Sequence, residues 1–295
     1  MCSQASATSA QQGFFRTDDG IDLFFRVLGE GDQPALVCSN GVGVSTFFWE
    51  YLAQHFSGHR QVVLWDYRGH GRSATPGPGK RLDIPRSARD LGTIINGLQL
   101  DKPILLGHSM GTQVILERYR QDPDNIGALV SILGTSGHPL DTFNDLRFSS
   151  TIFDLMLHFS ERFPRAIDTL GKFLVSAPGS FSVARAMKMI DGNRLSPHDL
   201  SQYQRHLAHI GFPFFFEMVR AIGEHTAADL LEHIQVPTLI IAAERDAFTP
   251  PHLSEKMANT IPKSTLVWLH EASHAGIVEQ PERINQAVED FLTKL

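Results

Sequence analysis

The chain has 295 residues, 42% of them hydrophobic and 20% charged, which is enough apolar material for one large domain or a domain with an insertion. Lys and Arg total 26 against 32 Asp and Glu, a net charge of -6, so no basic surface that could neutralise nucleic-acid phosphates is predicted. Most aromatic residues lack a hydroxyl group, with 20 Phe against 4 Tyr. The position of these Phe residues along the chain indicates which part of the fold is rich in apolar aromatic side chains.

The N-terminus and the cysteines predict neither export nor a membrane anchor. Residues 1–12 are rich in Ser, Ala and Gln without a positive or apolar stretch, so we interpret them as a disordered leader. Cys2 and Cys38 lie far apart, which argues against a disulfide framework. No window approaches 18 consecutive apolar residues, so no membrane span is expected. The prediction is a cytoplasmic protein, with its oligomeric state left open.

The first 138 residues alternate short apolar runs with helical patterns. Two runs around Asp19-Gly20 predict a β-hairpin, because Asp-Gly supplies the positive φ of a two-residue turn. Later runs are apolar throughout rather than alternating, as burial on both faces of a parallel sheet requires. The predicted strands are 14–17, 21–27, 35–39, 61–66, 103–107 and 128–133, and the helices are 47–56, 84–98 and 112–120.

The same alternation returns at the C-terminal end, with strands over 238–243 and 264–269 and helices over 251–261 and 281–295. Between these two parts, residues 139–228 show successive helical patterns and no convincing strand. The sequence therefore predicts an α/β core formed by residues 13–138 and 229–295, with helices on both faces of a mostly parallel sheet. Residues 139–228 form a helical insertion after the sixth strand.

A G-x-S-x-G motif lies between the fifth predicted strand and the helix after it: Gly107-His108-Ser109-Met110-Gly111. In this strand-turn-helix context the motif is typical of a nucleophile elbow, which exposes the serine hydroxyl on a strained turn. Side chains two positions before and after the serine would collide with neighbouring backbone, which explains the glycines. Ser109 is the predicted nucleophile.

A serine hydroxyl needs a base to remove its proton and a carboxylate to orient that base. Asp246 follows the seventh strand and His274 follows the eighth, so both should lie at the sheet edge that carries Ser109. Glu244 and His270 are the rival acid and base, and a weaker candidate for the acid is Asp141, after the sixth strand.

The chain order Ser109, Asp246, His274 resembles that of the α/β-hydrolase superfamily. The segment 66–73, Asp-Tyr-Arg-Gly-His-Gly-Arg-Ser, is similar to its D-x-R-G-x-G-x-S pattern, and His274 with Glu279 and Pro281 resembles its terminal H-x-x-x-x-E-x-P pattern. The resemblance spans residues 14–295 and implies the α/β-hydrolase fold, a cap after the sixth strand, and an activity like those of esterases, lipases and C–C hydrolases. The aspartate-dependent haloalkane dehalogenases and epoxide hydrolases are disfavoured by Ser109.

Backbone N–H groups of Met110 and Val42 are the expected oxyanion donors. Many superfamily members have His-Gly-x-Pro in the loop after the third strand, whereas residues 40–43 here are Asn-Gly-Val-Gly. The backbone N–H of Val42 is retained despite this change, because it does not depend on the identity of the side chains. We expect Asn40 to stiffen the loop in place of the histidine.

Other clusters predict no metal or cofactor. His206 with His209, and His55 with His59, have ligand-like spacing but no evident third ligand, and the dinucleotide-binding fingerprint lacks its third glycine. We interpret Asp66 and Arg68 as loop-fixing residues and His108 as structural.

The insertion holds 11 of the 20 Phe residues, which predicts an apolar substrate pocket. The residues expected to line it are Phe212, Phe215, Phe216 and Met218. The resulting prediction is a serine hydrolase of carboxylic esters or thioesters with apolar acyl or aryl groups, tested best on medium-chain esters. A C–C hydrolase of a vinylogous diketone and a non-catalytic ligand receptor are the alternatives.

Overall fold

A computed structural model describes residues 11–77, 82–138, 149–177, 179–180 and 194–295. Its sheet has eight strands in the order β1-β2-β4-β3-β5-β6-β7-β8. The β1–β2 and β2–β4 pairs are antiparallel, and all the others are parallel. The strands are β1 Gln11–Arg16, β2 Asp22–Leu28, β3 Leu36–Ser39, β4 Val62–Trp65, β5 Ile104–His108, β6 Ala128–Ile132, β7 Thr238–Ala243 and β8 Ser264–Leu269.

Helices connect the parallel strands and cover both faces of the sheet. They are α1 Glu50–Phe56, α2 Ile84–Gly97, α3 Met110–Gln121, α4 Ser149–Arg162, α5 Pro164–Ser176, α6 Pro197–Ile210, α7 Phe212–Glu224, α8 Pro251–Thr260, α9 Gly276–Glu279 and α10 Pro281–Leu292. None of the helices in the described ranges is long and apolar enough to cross a membrane.

Two apolar clusters lie on opposite faces of the sheet, and β4 contributes to both. Val63 and Trp65 pack into one cluster with α2 and α3, whereas Val62 and Leu64 pack into the other with α1 and α10. Successive side chains of a strand point to opposite faces, so a strand covered on both sides must be apolar at every position. The predicted double-sided burial of the parallel strands is confirmed.

The predicted order of elements is confirmed, including the N-terminal hairpin and the insertion after β6. Helices α4 to α7 form that insertion, here called the cap, and an isolated antiparallel bridge between Gly137 and Thr226 joins the two chain crossings at its base. Strand β1 begins at Gln11, so the last two residues of the predicted leader belong to the sheet. Residues 1–10 and Asp141 lie outside the described residues.

A buried ion-pair network fixes the loop that follows β4. Arg68 is 1% exposed and forms a bidentate pair with Asp90, with its Nε and Nη2 donating to the two carboxylate oxygens at 2.7 and 2.8 Å. A second carboxylate, that of Asp19, accepts from Arg68 Nη1 at 3.0 Å. Arg86 donates to both Asp19 and Asp90. The predicted loop-fixing role of Arg68 rests on these contacts.

Asp90→Asn should lower the free energy of unfolding by roughly 3 kcal/mol, because it leaves the buried Arg68 guanidinium with an incomplete counter-charge. Asp22→Asn is the matched control, since Asp22 pairs with Arg16 at 3.4 Å on the surface and such pairs contribute less than about 1 kcal/mol. Urea unfolding of both variants measures the difference. Equal effects would show that burial does not govern the stability of the Arg68 pair.

Candidate active site

Ser109 occupies the sharp turn between β5 and α3. Its φ of 54° and ψ of -118° are a strained combination for a residue with a side chain, and such positions cost about 1–3 kcal/mol. The turn is tight because backbone segments meet there: a Cβ on Gly107 would lie 2.3 Å from the Gly111 carbonyl oxygen, and a Cβ on Gly111 would lie 2.2 Å from that of Ser39. Glycine at both positions lets α3 start directly against the end of β3.

The structure brings Ser109, His274 and Asp246 together although up to 165 positions separate them in sequence. His274 Nε2 lies 2.8 Å from Ser109 Oγ, and His274 Nδ1 lies 2.9 and 3.0 Å from the two carboxylate oxygens of Asp246. An ionised carboxylate only accepts hydrogen bonds, so Nδ1 carries the ring proton and Nε2 is free to accept from the serine hydroxyl. This arrangement allows proton transfer from Ser109 to His274.

The Asp246 carboxylate is held by donors other than the histidine. The backbone N–H groups of Phe248 and Thr249 donate to Oδ1 at 2.8 Å each, and the Thr249 hydroxyl donates to Oδ2 at 2.8 Å. The side chain is 1% exposed. These bonds orient the carboxylate and compensate for its removal from water.

The rival residues are not brought to Ser109. His270 has a side chain that is 71% exposed and lies 3.8 Å from Glu244, so the two rivals face each other on the surface. The backbone N–H of Glu271 donates to Glu244 at 3.0 Å.

The loop that carries His274 is anchored on both sides. The hydroxyl and N–H of Ser273 donate to Glu279 at 2.6 and 2.9 Å, which gives the terminal Glu of the sequence pattern a physical role. His108 Nε2 donates to the backbone carbonyl of His274 at 3.1 Å. This contact accounts for the predicted structural role of the histidine that precedes the elbow serine.

The two expected oxyanion donors come from segments next to Ser109, the first turn of α3 and the loop after β3. Met110 is the first residue of α3, so its N–H has no carbonyl partner within the helix. Val42 lies in the loop after β3 and lines the same cavity as Ser109 and His274. Both positions fit a pair of backbone donors directed at a developing negative charge.

Side chains from the loop after β4 hold the loop that contains Val42. The Tyr67 hydroxyl donates to the Asn40 carbonyl at 2.9 Å, and the Asn40 amide donates to the Trp65 carbonyl at 2.8 Å. The Asp66 carboxylate accepts from the N–H groups of Thr46 and Arg72 at 3.0 and 2.9 Å, and burial raises the pKa of Asp66 to about 6. Asn40 thus stiffens the loop as expected, and Asp66 joins two loops through backbone hydrogen bonds.

A cavity of about 200 Å³ opens over Ser109 between the core and the cap. Of the four predicted lining residues, Phe215 is in its wall and the other three are not. Phe212 packs over Gly171 inside the cap. Phe216 is 8% exposed and contacts the rings of Phe153 and Phe212. Met218 is 1% exposed and belongs to the apolar cluster that contains α2 and α3. Phe212, Phe216 and Met218 are not among the described residues that line this cavity, and their role in binding substrate stays a prediction.

The described part of the wall also contains residues that the sequence did not single out. From the cap they are Leu195, Asp199, Leu200 and Tyr203, and from the core they include Val44, Phe48, Phe248 and Val278. Asp199 and Tyr203 are four positions apart on α6, a spacing that places two side chains on the same helix face. This spacing is the feature of the sequence from which the two lining residues could have been predicted.

The family model for the alpha/beta hydrolase fold matches residues 34–281. The chain belongs to the alpha/beta hydrolase family. The 3-oxoadipate enol-lactonase 2 of Acinetobacter baylyi is 27% identical over 94% of this chain and 96% of its own length. A Variovorax paradoxus relative named for carbamate hydrolysis is 29% identical over 93% and 97%. The solved structure of a thermophilic esterase from Thermogutta terrifontis is 24% identical, covers 96% and 98%, and superposes with a TM-score of 0.76. These likenesses support assignment of the chain as a hydrolase.

Within the described part of this hydrolase, no group of three or more His, Cys, Asp or Glu side chains is arranged to hold a metal ion. One histidine of each pair with ligand-like spacing has other contacts. His55 lies 3.2 Å from Glu289, and both ring nitrogens of His206 bind backbone groups of core loops.

The buried His108 should make the stability of the hydrolase fall in acid. Burial and the neighbouring His274 lower the pKa of His108 to about 3, against about 6.5 in an unfolded chain. Below pH 6.5 His108 is therefore protonated in the unfolded chain but stays neutral in the folded chain. As the pH is lowered from 6.5 to about 3, the free energy of unfolding falls by roughly 1.4 kcal/mol per pH unit.

His108→Gln retains a donor for the His274 carbonyl and removes this titration. Urea unfolding at pH 7, 6 and 5 should give a shallower pH dependence for His108→Gln than for the native chain. Parallel dependences would contradict the assignment of His108 as a neutral buried group.

Proposed function

We propose that this protein is a serine hydrolase that cleaves small, uncharged carboxylic esters, lactones included, through an acyl-enzyme. The observation that carries the proposal is the continuous hydrogen-bonded chain from Asp246 through His274 to Ser109, which ends at the floor of an apolar cavity. In this proposal Ser109 is the nucleophile, His274 the general base and acid, and Asp246 the carboxylate that orients the imidazole.

The reaction follows from these positions in two stages. Ser109 Oγ attacks the ester carbonyl carbon while its proton passes to His274 Nε2, and the N–H groups of Val42 and Met110 stabilise the oxyanion. His274 then donates that proton to the leaving alkoxide as the carbon–oxygen bond breaks. Water next attacks the acyl carbon and gives a proton to His274, and return of that proton to Ser109 releases the acid.

The cavity supports a small substrate. Its volume of about 200 Å³ is below the roughly 300–1,000 Å³ of sites for drug-sized ligands. This favours short acyl groups over the medium-chain esters that the phenylalanine content suggests. Most of the wall is apolar, and the Tyr203 hydroxyl, which has no hydrogen-bond partner among the described residues, is available to an oxygen of the substrate.

Charge further restricts the substrate. Among the described lining residues, Asp199 is the one carboxylate, and none is Lys or Arg. A second negative charge in a small apolar space is repelled by Asp199 and finds no compensating cation. The proposal is therefore for substrates that carry no carboxylate.

The relatives supply two further chemistries to test. One is named for an enol-lactone, which is a cyclic ester, and another for a carbamate. Ester, lactone, thioester and carbamate carbonyls would all place an oxyanion between the same two donors. The C–C hydrolase alternative predicts turnover of a vinylogous diketone with no ester hydrolysis, and the receptor alternative predicts neither.

Ser109→Ala should abolish hydrolysis of 4-nitrophenyl acetate and butyrate, since no other group in the described site can form the acyl-enzyme. Steady-state kinetics measure the loss, and a fluorophosphonate probe should label the native chain and not the variant. Ser254→Ala, at a buried serine of α8, is the matched control and should retain activity. Full activity or labelling in Ser109→Ala would refute the mechanism.

Asp199→Asn should reduce the preference for neutral over anionic esters. The native enzyme should favour 4-nitrophenyl butyrate over the 4-nitrophenyl monoester of succinic acid. Removing the Asp199 charge should narrow the ratio of their kcat/KM values roughly tenfold, which corresponds to about 1.4 kcal/mol of repulsion. Asp168→Asn, on the cap helix α5 and away from the cavity, is the charge-matched control. An unchanged ratio would show that Asp199 does not act on the substrate.

A further inference from the structure

One face of the cap helix α6 is directed at the core. Asp199, Tyr203 and His206 lie four and three positions apart and therefore share that face. Asp199 accepts a hydrogen bond from the Tyr51 hydroxyl at 3.0 Å, and Tyr203 lines the cavity. His206, one turn further on, reaches past the cavity to two loops of the core.

Both ring nitrogens of His206 bind backbone groups. The N–H of Gly71 lies 2.9 Å from Nε2, and the carbonyl oxygen of Gly43 lies 2.9 Å from Nδ1. A backbone N–H can only donate, so Nε2 is the acceptor and the ring proton is on Nδ1, which donates to Gly43. Burial lowers the pKa of His206, in agreement with a neutral ring. His206 therefore joins the loop after β3 to the loop after β4.

Gly43 is held from a second direction by His70. The Gly43 N–H donates to His70 Nε2 at 3.3 Å, and His70 Nδ1 donates to the Arg68 carbonyl at 3.3 Å. Two imidazoles from different parts of the fold thus bind the N–H and the carbonyl of one residue. Their ring centroids are 5.7 Å apart, but the nitrogens are already engaged, so the pair is not placed as metal ligands.

The position of Gly43 connects these bonds to the reaction. His70 fixes the peptide plane between Val42 and Gly43, and His206 fixes the plane between Gly43 and Val44. Gly43 itself has a φ of 76°, a conformation that residues with a side chain rarely adopt. The direction of the Val42 N–H, one peptide earlier, depends on both planes.

The rest of the loop is held by the core. Asn40 is bound through Tyr67, and Thr46 through Asp66, so both ends of the loop are anchored without the cap. The middle of the loop differs, because the Gly43 carbonyl is bound by a residue of α6.

We infer that His206 is a positioning residue through which the docked cap aligns the Val42 oxyanion donor, so that cap docking and assembly of the oxyanion hole are coupled. The inference rests on the proposed ester hydrolysis. It requires His206 to act on the transition state rather than on substrate binding, since the imidazole touches backbone groups and not the cavity.

His206→Ala removes both bonds and should slow acylation by 4-nitrophenyl butyrate roughly 10- to 100-fold, less than the loss of a complete donor, which costs about 10²–10³. The dissociation constant of the substrate, taken from single-turnover kinetics, should change little. His206→Gln offers an amide that can accept from Gly71 and donate to Gly43, so it should restore most of the rate. His209→Ala, at an exposed histidine of the same helix, is the matched control and should behave as the native chain.

An alkylboronic acid gives an independent measurement. Ser109 Oγ adds to boron while its proton passes to His274, and the resulting tetrahedral anion places a boron-bound oxygen between the oxyanion donors. The inhibition constant for butylboronic acid should rise in His206→Ala in proportion to the loss of acylation rate, and should recover in His206→Gln.

Each other outcome is decisive. A rate and an inhibition constant that match those of His209→Ala would overturn the inference, as would a change confined to substrate affinity. Thermal unfolding of the three variants identifies a general loss of stability. If His206→Ala is slow and an equally stable His206→Gln does not restore the rate, the inference is also overturned. A native chain inactive on every ester would instead refute the proposed function.

Discussion

The parallel pairing of β3 with β5 is the constraint on which the site depends. These strands are 65 or more positions apart in sequence, yet Ser39 is in register with Gly107, so the chain leaves both strands at the same level of the sheet. The approach of Gly111 to the Ser39 carbonyl then packs the elbow against the loop after β3. Ser109 and Val42 line the same cavity because the sheet brings their segments together, and the strain at Ser109 is sustained by this packing.

The other half of the site follows from the same geometry at the far side of the sheet. Ala243 and Leu269 are in register at the ends of β7 and β8, so the loops that carry Asp246 and His274 leave side by side. The C-terminal ends of parallel strands meet at one edge, and this general property allowed Ser109, Asp246 and His274 to be predicted from the sequence. The alternation of continuous apolar runs with helical patterns likewise predicted the sheet. The apolar runs and the motifs at their ends can be recognised locally in the sequence, and the topology of a parallel sheet then fixes the long-range contacts.

The cavity wall could not be predicted in the same way. Phe215 and Phe216 are adjacent and chemically identical, but a helix turns by about 100° per residue, so one lines the cavity and the other packs inside the cap. Which face of α7 meets the core depends on its packing against α4 and α5, which are distant in sequence, as well as against the preceding helix α6. The composition indicates that the cap is apolar, but the packing of its helices determines which side chains line the cavity and which contact one another inside the cap. His206 was equally hidden, because its spacing to His209 suggests a metal site and gives no indication of Gly43.

The loop after β3 shows how this chain compensates for a departure from the superfamily pattern. A proline at the position of Gly43 would restrict the backbone before folding, and replacing it by glycine increases the conformational entropy lost on ordering by about 0.4–1 kcal/mol. The hydrogen bond that the Gly43 N–H donates to His70 and the one that the Gly43 carbonyl accepts from His206 each contribute about 0.5–1.5 kcal/mol, which is sufficient to offset that loss. The rigidity that a proline gives within the loop is thereby supplied by contacts from outside it, and one of those contacts belongs to the cap. In the proposed mechanism this oxyanion loop is ordered by the same element that covers the substrate, so the precision of the proposed site depends on the docking of α6.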